Sequence, residues 1–146
     1  MTKTALTSGI KTIIVVNTVA TVVTILFWSL VLIKVYGTQS SGIMMDNVSK
    51  GSTLGFLVAD CIWAVPLLII SIYGLLKRSV LGWLVAQLVN ILWCYSLTSL
   101  WVRDSYLGMI SPGDYIFLPF TIFSLWSIYY LWNRKNLFGI GSAANG

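Results

Sequence analysis

Apolar residues in this chain are gathered into four blocks, 12–33, 54–76, 79–101 and 115–132. Each is about 20 residues long, enough to cross a hydrocarbon core of roughly 30 Å at 1.5 Å per residue of helix. Hydrophobic residues make up 58% and charged residues 9% of the 146 positions, whereas soluble domains carry roughly 25% charged residues. So few charges cannot cover a water-facing surface. The expected fold class is all-α integral membrane: one four-transmembrane-helix bundle over residues 1–146, with no soluble domain.

The charges at the block ends predict an orientation. Lys3, Lys11, Lys77, Arg78, Arg134 and Lys135 fall on one side of a four-span arrangement with no acidic residue among them. Lys34, Lys50 and Arg103 fall on the other, balanced by Asp46, Asp104 and Asp114. Because Lys and Arg in short loops are retained on the cytoplasmic face, the bundle is expected N-in and C-in, in a bacterial plasma membrane. The net charge of +5 is thus a topology signal, and nucleic acid is not expected as a partner. The first block is longer than a signal-peptide core, and no small-x-small site follows Val35-Tyr36-Gly37, so it reads as a retained helix.

Punctuation refines the spans. Only Lys77 and Arg78 separate the second and third blocks, which predicts a tight antiparallel hairpin of helices two and three. Ser111-Pro112-Gly113-Asp114 carries capping-box chemistry for the start of helix four, and Ser52 or Thr53 can cap helix two. Residues 37–53 read as a flexible Gly/Ser-rich surface loop, and 139–146 as a disordered tail. Pro66 and Pro119 lie inside spans and are expected to kink them. Trp28, Tyr36, Trp101, Tyr106, Tyr115, Tyr129, Tyr130 and Trp132 sit near block ends, where amphipathic rings favour headgroups. Asn47-Val48-Ser49 matches a glycosylation sequon on the expected outer side.

Asp60 is the one acidic residue within a block. It lies about six residues, or roughly 9 Å, below the outer end of helix two. An ionised carboxylate there costs on the order of 2.5–3.5 kcal/mol, so it should face the bundle and be partnered or protonated. Arg103 is the first expected partner, because it can snorkel inward from the neighbouring helix; Lys34 is the second. Other polar residues recur on shared helix faces: Asn17, Thr21 and Thr24 in helix one; Gln87, Asn90, Cys94 and Thr98 in helix three; Thr121 and Ser124 in helix four. They compose either a narrow polar seam or a set of interhelical hydrogen bonds. Trp63, Pro66, Cys94, Tyr95, Thr98 and Pro119 are the candidate cavity-lining residues.

Chemistry is otherwise sparse. The chain has no His and no Glu, which leaves a metal site or His-based acid–base catalysis without its usual residues. Cys61 and Cys94 have no cationic neighbour in sequence and read as apolar thiols. No cofactor is expected.

Asp60, Trp63, Pro66-Leu67-Leu68, Gly74-Leu75-Leu76, Arg78, Gly82-Trp83 and Tyr95 resemble small four-span bacterial membrane proteins of uncharacterised function, over residues 59–134. The resemblance implies four spans and carries no activity. From the residues, the expected function is a non-catalytic accessory or hydrophobic-ligand-binding protein. The alternative is an oligomeric proton-linked transporter or channel using Asp60, and the third reading is a lipid or quinone enzyme. Membrane lipid, a homo-oligomer or a larger membrane subunit are the partners such a small bundle invites.

Overall fold

A computed structural model describes residues 6–37, 47–108, 110 and 112–140. The described residues form helices α1 (Ser8–Gly37), α2 (Asn47–Ala59), α3 (Val65–Leu76), α4 (Val80–Leu107) and α5 (Pro112–Asn133). A π-helical turn, Asp60–Ala64, joins α2 to α3, and a 3-10 turn, Lys135–Phe138, follows α5. Four stretches are long and apolar enough to cross a membrane: Ser8–Lys34, Lys50–Leu76, Val80–Leu107 and Gly113–Asn133.

Each candidate span runs past its apolar block at one end or both, for local reasons. Once a span has nucleated a helix, each further residue adds a hydrogen bond at little cost, and the ends are set by breakers rather than by polarity. α4 continues through Arg103 and Asp104 to Gly108, whose φ of 64° supplies the left-handed C-cap. α2 begins at Asn47, so residues 47–53 of the expected 37–53 loop are helical, and Ser52 and Thr53 lie within the helix instead of capping it. Lys50 lies over the Tyr36 ring at 5.5 Å. The sequon side chains, Ser111 of the capping motif and residues 141–146 of the tail lie outside the described residues. Gly139 and Ile140 do not follow the expected disorder: Gly139 takes φ 78°, and Ile140 packs against the core.

α3 and α4 meet at a tight turn. Arg78 adopts φ 52°, unusual for a residue with a Cβ, and the Ser79 N–H reaches back to the Gly74 carbonyl at 3.0 Å, a Schellman closure. Ser79 Oγ then accepts from the Gly82 N–H at 3.0 Å and caps α4. Immediately beyond, the backbones of Gly74 and Gly82 touch so closely that a Cβ on either would overlap the other's main chain. Glycine is required at both by this approach.

α4 packs between α3 and α5, α1 packs on α3, and a lighter α1–α5 contact closes the ring. The beginnings of α1 and α4 and the ends of α3 and α5 gather around Ile10, Ile13, Leu75, Ala86, Leu131 and Phe138. Tyr130 covers Gly9, and its hydroxyl donates to Thr7 Oγ1 at 3.1 Å. Trp83 Nε1 donates to the Leu131 carbonyl at 2.9 Å. These contacts seal that end.

Side-chain burial is inverted relative to a water-soluble bundle. Leu26, Leu30, Ile33, Tyr73, Leu81, Val102, Leu125 and Tyr129 face outward, while Asn17, Thr24, Ser71, Gln87, Asn90, Ser124 and Ser127 are buried. An exterior this apolar suits lipid chains, and most of the polar groups turned inward find partners there.

Candidate functional site

The hydrogen bonds that join buried polar side chains to a neighbouring helix include two groups that do not meet. Asn17 Nδ2 donates to Ser71 Oγ at 3.0 Å, which donates on to the Leu68 carbonyl at 2.8 Å, tying α1 to α3. On the other side of the bundle Asn90 Nδ2 donates to Ser127 Oγ at 3.0 Å, and Gln87 Nε2 to the Ile128 carbonyl at 3.3 Å, tying α4 to α5. Thr121 Oγ1 bonds both its own helix at Phe117 and the Trp93 carbonyl. Thr21 and Thr98 bond carbonyls of their own helices. Asn17 and Asn90 are therefore helix fasteners at separate interfaces rather than members of one continuous seam.

Asp60 stands apart from both groups. It opens the π turn, and its carbonyl accepts from the Val65 N–H five residues on. Pro66 follows directly and lacks the N–H that an α-helical ladder would require of it. The expected disturbance at Pro66 thus takes the form of a π turn on its N-terminal side; such widened turns recur at functional sites. The carboxylate lies about 15 Å of helix beyond Lys50, deeper in the candidate span than the apolar block alone suggests, because the helix begins earlier.

The expected Asp60–Arg103 pair does not form. Asp60 Oδ2 accepts from Trp28 Nε1 at 2.8 Å, and Arg103 Nε instead binds Asp104 Oδ1 at 2.7 Å, with its guanidinium 5.9 Å from the Phe56 ring centre. The cause is helix length. Because α4 remains helical past the apolar block, Asp104 is a buried residue on the same turn as Arg103 and holds the guanidinium locally. Lys34 lies exposed on the last turn of α1 and does not pair with Asp60. Trp28, read from sequence as a headgroup ring, is only 7% exposed. It is the donor that the sequence reading missed, and its four-residue spacing from the buried Thr24 was the available signal.

Around Asp60 the spans part to leave a cavity of about 150 Å³. α1 contributes Phe27 and Trp28, α2 Phe56, α4 Trp93 and Ser96, and α5 Phe117; Arg103 closes one end and Leu68 the other. The rings support one another: Phe27 meets Phe117 edge-on at 5.9 Å and Trp28 at 5.0 Å, and Trp93 lies 5.5 Å from Phe117 and stacks on Phe120 at 5.4 Å. A second, more open cavity of about 300 Å³ shares Phe56, Asp60, Leu92 and Ser96 with the first and is flanked by Trp63 and Tyr95. Asp60 therefore lies in the wall of both.

Of the candidate cavity residues, Trp63 and Tyr95 flank this lateral groove while remaining largely exposed. Pro66, Cys94, Thr98 and Pro119 line neither cavity. Pro119 is exposed, and Thr98 is spent on the Cys94 carbonyl. Cys61 and Cys94 are both free thiols. Among the described residues no group of three or more His, Cys, Asp or Glu could hold a metal ion.

The arrangement presents one carboxylate, fixed by one indole, in an aromatic chamber. The chain matches no protein-family model, and comparisons with curated proteins and with solved structures find none similar to it.

Proposed function

We propose that this is a non-catalytic, hydrophobic-ligand-binding protein of the bacterial plasma membrane, with its site in the Asp60 cavity. The observation that carries the reading is the cavity itself: all four candidate spans contribute aromatic or aliphatic side chains to one chamber with a single anchored carboxylate. Apolar chambers with a few fixed polar groups are the usual form of small-molecule sites. In this reading the bundle is one domain, N-in and C-in, with α3 and α4 as its tight hairpin. Support for the orientation comes from the basic residues at the sealed end, Lys77, Arg78, Arg134 and Lys135, which have no acidic residue among them, as short cytoplasmic connections do. Membrane lipid surrounds the bundle, and a second copy or a larger membrane subunit is the kind of partner its exterior accommodates.

Proton-linked transport through Asp60 is the second reading. It is favoured by the position of the carboxylate between the two cavities, and disfavoured by Asn17 and Asn90 being committed to other interfaces. A lipid or quinone enzyme stands third, with no nucleophile–base pair among the described residues to support it.

Native mass spectrometry of protein released from its membrane tests the first reading. The wild type should carry a small-molecule adduct, and Ser96→Trp, which fills the chamber, should lose it. An adduct that survives the substitution, or a wild type without one, would overturn the proposal. Transport would instead be recognised by a pH-driven flux in proteoliposomes that Asp60→Asn abolishes.

A further inference from the structure

Resting on that ligand-binding reading, we infer that the chamber takes a lipophilic cation, an amine or quaternary ammonium whose compact head sits against Asp60 and whose apolar tail lies in the groove flanked by Trp63 and Tyr95. Charge accounting leads to this choice. Two charged side chains line the inner chamber, Asp60 and Arg103. The guanidinium of Arg103 is already met by the Asp104 carboxylate at 2.7 Å and by the face of Phe56. Among the described residues Asp60 is met only by an indole N–H, a dipole and not a countercharge, and no described basic residue forms an ion pair with it. In its ionised form Asp60 leaves one negative charge for a ligand to neutralise.

The surroundings select the form of that cation. Phe27, Trp28, Trp93 and Phe117 line the chamber opposite or beside the carboxylate, and ring faces attract cations most strongly where water is excluded. An anion would be repelled by Asp60. A neutral hydrocarbon would fit the walls while leaving the carboxylate desolvated and uncompensated. A hydrated inorganic cation would find too few oxygen donors to replace its water.

Size sets the rest. A chamber of about 150 Å³ has room for one group of roughly benzene or trimethylammonium size. Anything longer must continue elsewhere. The lateral groove of about 300 Å³ is contiguous with the chamber along Phe56, Asp60, Leu92 and Ser96, so a head and a tail can lie on either side of the same carboxylate. Access is then from the lipid, between the π turn and α4, and Trp63 and Tyr95 flank the way in.

The test uses two probes of nearly equal shape: phenethyltrimethylammonium, whose charge is independent of pH, and its carbon isostere (3,3-dimethylbutyl)benzene. Binding to full-length protein in a nonionic maltoside detergent is read by tryptophan fluorescence, with Ser96→Trp as the filled-chamber control. Wild type should prefer the cation by about tenfold or more, and Asp60→Asn should lose that preference while still binding the isostere. If Asp60→Asn does not fold, Phe117→Leu serves, since it removes a ring face and retains the volume of an apolar side chain; it should lower cation binding severalfold more than isostere binding. Equal binding of the two probes by the wild type, or an undiminished preference in Asp60→Asn, would overturn the cation assignment and leave the chamber as a site for neutral ligands. Failure of both probes to bind the wild type any better than Ser96→Trp would overturn the ligand-binding reading, and the cation with it.

Discussion

The two ends of the bundle solve the problem of helix contact in opposite ways. At the Phe138 end, glycine lets helices touch backbone to backbone, and the gaps between are filled by Ile10, Ile13, Leu75 and Leu131, all of them fully buried. At the Asp60 end the facing residues are Trp28, Phe56, Trp93 and Phe117, whose rings prop the spans apart around a chamber. Lipid chains are as apolar as the side chains they contact, so association within a bilayer depends on close packing and hydrogen bonds rather than on expulsion of water. The sealed end therefore supplies the cohesion, and the hollow end is tolerated because the other holds.

The largest difference should come from glycine. Gly74→Ala places a Cβ into the main chain of Gly82, where no side chain can yield; a loss of roughly 3 kcal/mol is expected, at the upper end of overpacking effects. Gly55→Ala, on α2 with nothing within 4 Å of the added carbon, should instead be neutral or gain up to about 1 kcal/mol from helix propensity. Unfolding in mixed detergent micelles measures both. Similar losses at the two positions would remove the distinction between the ends.

Next come two leucines of equal burial. Leu68 and Leu75 are each 0% exposed, but Leu75 lies in the sealed cluster and Leu68 already borders the chamber. Leu75→Ala should cost about 2–3 kcal/mol, since it opens a void among side chains that have no slack. Leu68→Ala only enlarges an existing space and should cost less, by about 1 kcal/mol on the same scale. The reverse order would mean that the chamber collapses around Leu68 and is not a standing feature of the fold.

At the hollow end α1 is tied to the π turn by the indole bond to Asp60. Trp28→Phe keeps a ring in the wall and deletes the donor. A double-mutant cycle with Asp60→Leu, which leaves no acceptor where Asn would keep one, should show coupling of about 1.5 kcal/mol, within the range for hydrogen bonds to charged groups. No coupling would release Asp60 from Trp28 and revive Arg103 as its partner.

The contrast between ends was only partly legible in the sequence. Span number follows from block length, and Asp60 announces itself because no other carboxylate lies so deep in an apolar run. Its partner could not be read. Which residue of α1 meets α2 depends on the rotation of one helix against another, and the π turn shifts that rotation at the very residue concerned. The Arg103 expectation failed for a different reason: hydropathy measures where apolar residues stop, whereas α4 stops at Gly108, and the two extra turns make Arg103 and Asp104 helical neighbours. Phe138 was invisible as a core residue because a 3-10 turn of four residues has no periodicity to detect, yet it is only 3% exposed. A chamber has no sequence signature of its own; it is the space that several rings, individually readable as packing, fail to fill.

The smallest effect concerns the polar fasteners, and it separates the two interfaces instead of the two ends. Asn90 and Ser127 join α4 to α5, and Asn17 and Ser71 join α1 to α3, each across 3.0 Å between buried groups. Such bonds within bilayers average about 0.6 kcal/mol, because the separated helices also find partners for their polar groups. Ser71 additionally donates to the Leu68 carbonyl, and with that proton committed its oxygen is polarised to accept more strongly. Coupling in the Asn17–Ser71 cycle should therefore exceed that in the Asn90–Ser127 cycle by a few tenths of a kcal/mol. Equal values would show that the bond from Ser71 to the Leu68 carbonyl adds nothing to the one between Asn17 and Ser71.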